Sequence, residues 1–109
     1  MFGPKPVVEI ADGFLIRRMG WLHKKRMSFG DMEKVIAVSR DAVTHEETMV
    51  GFFDADGHEI WISEFDRDFS QAIEKMPGLL KGFIGLDGFV SEKPFDRLER
   101  VLWIKRSAQ

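Results

Sequence analysis

The run from Thr48 to Met76 constrains this chain most, because its apolar period changes from two to 3.6 within it. Met49 to Phe53 and His58 to Ser63 alternate as strands, and Asp54-Ala55-Asp56-Gly57 between them has hairpin-turn chemistry, with Gly57 free to take positive φ. Beyond Ser63, the residues Phe69, Ala72, Ile73 and Met76 fall at i, i+3, i+4 and i+7, a single apolar stripe. This spacing predicts a helix over about 66–76. Ser63 or Asp66 would accept its first backbone N–H groups, Asp66 and Asp68 would suit the positive end of its dipole, and Pro77-Gly78 would end it. A hairpin that feeds an amphipathic helix must pack that helix on a sheet, so the fold class is α+β.

Upstream, Val7 to Ile10 and Phe14 to Arg18 read as strands joined by Asp12-Gly13. Trp21 to Phe29 is a third strand, with Trp21, His23, Lys25, Met27 and Phe29 on one face and Leu22, Lys24, Arg26 and Ser28 on the other. Neither face is cleanly apolar, as expected of an edge strand guarded by Lys and Arg against unwanted pairing. Ser28 to Asp31 has the residues of a turn or bulge, Lys34 to Val43 is β-branched strand, Thr44 to Glu47 is a turn, and Arg100 to Lys105 is the last strand. Leu79 to Phe95 reads as an irregular, glycine-punctuated segment pinned by Phe83, Ile84, Leu86, Phe89 and Val90. The expected architecture is a mainly antiparallel, meandering sheet of about six strands with one helix on a face. Strong twisting would instead close it into a PH-like partial barrel. With 109 residues the chain makes a single domain, 1–109.

Composition narrows the function classes. The absence of Cys removes disulfides, thiolate nucleophiles and Cys-based zinc sites. The N-terminus lacks the apolar core of a signal peptide, and no run is long enough to span a bilayer, so a cytoplasmic protein is expected. Charge is uneven: residues 1–34 carry net +3, residues 35–80 net −7 and residues 81–109 net +2. An acidic middle argues against a nucleic-acid binder and suits an electrostatically steered protein partner.

Alternate turns of a meander share one end of the sheet, which gathers His45, Glu46, Glu47, Glu64, Asp66 and Asp68. Imidazole beside several carboxylates could form a binding site, a divalent-metal site built on His45, Glu46 and Glu64, or a general acid/base pair. The same residues also serve as solvated turn residues and a helix cap, and their spacing matches no metal signature, so neither metal nor cofactor is expected. Asp54-x-Asp56-Gly57-x-Glu59 begins like a calcium loop but lacks the bidentate Glu and lies between strands, which leaves it a hairpin turn. No nucleophile elbow, phosphate-binding loop or zinc-protease motif is present.

Phe29-Gly30-Asp31-Met32, Arg40-Asp41, Thr44-x-Glu46, Ser63-Glu64, Met76-Pro77, Pro94-Phe95 and Val101-Leu102-Trp103 follow one another in an order that resembles a family of small, uncharacterised bacterial α+β proteins. The resemblance covers about Ser28 to Arg106 and departs from the pattern at Phe65-Asp66-Arg67-Asp68. It implies a fold and no particular activity. The function expected is a non-catalytic protein-interaction module, an adaptor or neutralising protein, with another protein as partner or a homodimer formed through an edge strand. The alternative is a metal-assisted hydrolase or isomerase using the acidic/His cluster.

Overall fold

The structure, a computed structural model, describes residues 5–20, 23–42, 45–86 and 98–105, with only the backbone of residues 40–42, 45, 46 and 98. Strands β1 (Val7–Ala11), β2 (Phe14–Met19) and β3 (His23–Ser28) form an antiparallel three-stranded sheet in the order β1-β2-β3. Asp12 and Gly13 take φ of 52° and 79° at the first hairpin, the pair of positive angles that matches strand twist. Strands β4 (Met32–Ala42), β5 (His45–Asp54), β6 (Glu59–Ser63) and β7 (Leu98–Ile104) form a second sheet in the order β6-β5-β4-β7.

The fold is therefore α+β and mainly antiparallel, but among the described residues it is two sheets with seven strands between them and not one six-stranded meander. The reason lies beside β4. A 3₁₀ turn over Phe29–Asp31, capped by the Ser28 hydroxyl that accepts from the Gly30 N–H at 3.2 Å, turns the chain away from β3. The edge of β4 that a meander would give to β3 goes to β7, with Val35 opposite Trp103 and Ile36 opposite Val101. A bulge at this point leaves Leu102 unpaired and buried. Among the described residues no strand pairing joins the two sheets into a barrel.

The core lies where the inner faces of both sheets meet helix α1 (Phe69–Leu79). Val8, Leu15 and Met27 come from the small sheet, Val35, Val50, Phe52, Ile60 and Ile62 from the large one, and Phe69, Ala72 and Met76 from the helix. The stripe expected of the helix is thus the face it buries, and its bounds differ from expectation. It starts at Phe69 because Asp66 is engaged elsewhere; Asp68 precedes it with φ of 65° and no side-chain cap. Pro77 stays inside, costing one N–H donor, yet the final turn closes through the Leu80 N–H to the Met76 carbonyl at 2.7 Å.

Two strand ends also shift. Thr44 to Glu47 was expected as a turn, but β5 begins at His45, opposite Ala42, so the polar residues at 45–47 belong to a ladder that runs past the core. Val43 and Thr44 lie outside the described residues. Of the irregular segment, Leu80 and Phe83 enter the core, while 87–97 lie outside the described residues.

Side-chain alternation gives the large sheet a second apolar face, with Ile36 and Val38 on β4, Gly51 and Phe53 on β5 and Trp61 on β6. Trp61 lies over Gly51 and meets Phe53 edge-on, with ring centroids 5.7 Å apart.

Candidate functional site

The register of β5 and β6 brings Glu47, Glu64 and Asp66 to one corner, around Thr48 and Ser63. There each carboxylate holds backbone or a hydroxyl in place. The Ser63 hydroxyl donates to Glu47 Oε2 at 2.8 Å and accepts from the Phe65 N–H at 3.1 Å. Thr48 N–H donates to Glu64 Oε1 at 2.9 Å, and the Glu64 N–H donates to the Thr48 carbonyl at the same distance. Asp66 is buried and takes both oxygens of its carboxylate to Arg17, from Nε at 2.8 Å and Nη2 at 3.0 Å, with a third bond from the Ser63 N–H at 2.9 Å. Asp68 is exposed and lines a shallow depression between β1 and α1, beside Glu9, Gln71 and Lys75. The side chains of His45 and Glu46 lie outside the described residues.

Reading Phe14 to Arg18 as a strand does not by itself reveal this pairing. Strand alternation carried the signal. Arg17 shares the inner face of the small sheet with Val8 and Leu15, and a guanidinium on an apolar face requires a partner.

The opposite end of the hairpin carries a second polar group. Asp54 Oδ1 accepts from the N–H groups of Asp56 and His58, both at 2.9 Å, and Oδ2 lies 3.0 Å from His58 Nδ1. Burial within the turn pushes the Asp54 carboxyl up, but the N–H and ring of His58 and the N–H of Asp56 outweigh it and hold the carboxyl below its ordinary 3.8. One ligand atom each from Asp54, Asp56 and His58 fall within 4.8 Å of one another, a spacing that could hold a divalent cation. Gly57, with φ of 89°, closes the turn as expected of a hairpin.

This turn forms one rim of a groove of about 500 Å³ between the two sheets. Buried Met27 on β3 and Ile60 on β6 are its floor, with Phe14 beside them. Lys25 and Arg26 form one wall; Asp31, Asp54, His58 and Glu59 form the other. Arg26 lies 5.1 Å from the Phe14 ring centroid, so a cation–π contact steadies a side chain that is otherwise exposed.

The groove also lies between two sheet edges. The outer edge of β1 is taken by the chain itself: the Val8 N–H donates to the Arg67 carbonyl at 3.0 Å and the Arg67 N–H to the Pro6 carbonyl at 2.8 Å. The outer edge of β7 receives the Ile84 N–H at the Leu102 carbonyl, 3.1 Å away. The remaining edges, β3 and β6, face each other across the groove with no strand against them among the described residues. No helix of the described residues is long and apolar enough to cross a membrane. No protein-family model, curated protein or solved structure matches the chain.

Proposed function

We infer that this protein is a non-catalytic protein-interaction module, of adaptor or neutralising type, that works through the groove between β3 and β6. The groove carries the reading: it has an apolar floor, walls of opposite charge and two free strand edges in one place. Oppositely charged walls set the orientation of a partner, and an apolar floor supplies contact area. Of the acidic cluster expected from the sequence, Glu47, Glu64 and Asp66 hydrogen-bond backbone or side-chain groups of the 63–66 corner and Thr48. A cytoplasmic location and membership of the small bacterial family belong to the same reading. The test is capture of partners by wild type, by Lys25→Glu/Arg26→Glu and by Glu64→Gln. A partner lost with the groove variant and kept with Glu64→Gln supports the groove. The reverse pattern moves the function to the 44–68 end.

A second reading, metal-assisted hydrolysis or isomerisation, has one observation in its favour: Asp54, Asp56 and His58 converge on the rim of this groove. Binding to the native state alone raises its stability. Thermal melting with Mg²⁺, Mn²⁺, Zn²⁺ and Ca²⁺, each with a chelator control, on wild type and His58→Ala decides it. A metal-specific rise lost in the variant supports the reading, and no rise with any metal retires it.

A further inference from the structure

We propose that the seam between β3 and β6 binds an extended, acidic segment of another protein as an added strand, a specification that rests on the interaction reading above. Two of the four sheet edges are met by the protein's own backbone, each at one point, at Arg67 on β1 and at Ile84 on β7. Among the described residues the other two, β3 and the part of β6 before Ser63, carry no such bond and line one groove, so open backbone donors and acceptors lie where a strand would enter; Ser63 itself is engaged by Asp66.

Side chains on β3 set the partner's chemistry. His23, Lys24, Lys25 and Arg26 are all exposed, and buried Met27 follows them. A strand laid against β3 places one residue opposite each of these, with Lys24 and Arg26 on the outer face of the small sheet and Lys25 and Met27 on the inner face. Acidic residues at alternate positions would meet Lys24 and Arg26, and an apolar residue on the inner side would reach Met27 and Ile60 at the groove floor. A continuous polyanion is disfavoured, because its far side would face Asp31, Asp54 and Glu59. A second copy of the chain pairing β3 with β3 about a two-fold axis is disfavoured as well, because it brings Lys and Arg against Lys and Arg.

The experiment uses the full chain and two fluorescent peptides of about ten residues, long enough to span β3 at ~3.3 Å per residue. One alternates Val and Glu, the other Val and Lys. Anisotropy measures binding, and amide hydrogen exchange locates it. The Val–Glu peptide is expected to bind and to slow exchange in β3 and β6. Affinity should fall about tenfold in Lys24→Glu/Arg26→Glu, a few-fold for each reversed cross-strand pair, and the preference should pass to the Val–Lys peptide. Should the double variant fail to fold, raising the salt on wild type must weaken the same complex. Failure of the Val–Glu peptide to bind, protection elsewhere than at β3 and β6, equal affinity for both peptides, or a concentration-dependent dimer protected at β3 would each overturn the proposal. If the peptide fails while a captured partner still depends on Lys25 and Arg26, the acidic strand is wrong and the interaction groove stands. If both fail, the groove reading falls too.

Discussion

Replacing Asp66 by Ala should be among the most damaging single changes in the molecule, and its cost follows from three hydrogen bonds. The Asp66 side chain is 3 % exposed and the Arg17 side chain 18 %, so truncation strands a guanidinium that water reaches only at one side. Removing one partner of a buried ion pair costs about 3–5 kcal/mol, and the partial exposure of Arg17 points to the lower end. The Ser63 N–H also loses its acceptor at a buried position, which adds about 1 kcal/mol. The sum, about 4 kcal/mol, is a large share of the ~5–15 kcal/mol that holds a domain of this size. Urea denaturation reads it directly: with a slope of about 2 kcal/mol per molar, the midpoint should drop by about 2 M. Asp66→Asn keeps an acceptor for Ser63 and should lose less. Arg17→Met combined with Asp66→Asn removes the stranded charge and should be more stable than Asp66→Ala. A drop of less than about 0.5 M for Asp66→Ala would place the pair with ordinary surface ion pairs and refute the reasoning.

Gly51→Ala puts a Cβ 2.7–2.8 Å from the Trp61 ring, so the ring must swing off the sheet, at a cost of about 1–3 kcal/mol. A lower melting temperature with a red-shifted Trp emission is expected; no change in either contradicts the packing. Gly78→Ala, in the last helical turn with nothing within 4 Å of the new Cβ, should raise stability by about 0.5–1 kcal/mol. A loss of stability there would mean that the helix needs glycine at 78. Asp54 titrates below its ordinary 3.8 in the folded state, so its contribution to stability is present above that value and is lost as pH falls through the lowered one. Urea midpoints of wild type and Asp54→Asn should differ by a constant amount above about pH 5 and converge in acid. A difference that persists unchanged at pH 3 would show that those hydrogen bonds do not favour the ionised carboxyl.

Strands and helix were legible because each writes its period into a few consecutive residues: alternation at Val7 to Arg18, the stripe at Phe69, Ala72, Ile73 and Met76. The division into two sheets was not, because it depends on β7 reaching β4 from far along the chain, and Val101-Leu102-Trp103 carries nothing that names its neighbour. The helix start was misplaced for a related reason. Local capping rules assign Asp66 to the nearest N–H groups, whereas its carboxylate is claimed by Arg17, 49 residues away. Glu47 and Glu64 do meet at one corner, but through the register of β5 and β6 and not through a turn at 44–47, and there they hold the Ser63 hydroxyl and the Thr48 N–H. The groove escaped notice because it is made by strand edges, and Asp54 and His58 looked like turn residues, which they also are.

The most direct test of an open seam needs no partner: amide hydrogen exchange, residue by residue, on the free protein. With β3 and β6 as the open edges, the outward-pointing amides of β3, and those of β6 other than Ser63, whose N–H is held by the Asp66 carboxylate, should exchange fast, while those of Ser63, Val8, Arg67 and Ile84 exchange slowly. Protection along β3 equal to that of core strands β4 and β5 would mean that this edge is already covered, and the groove could not be the interaction surface.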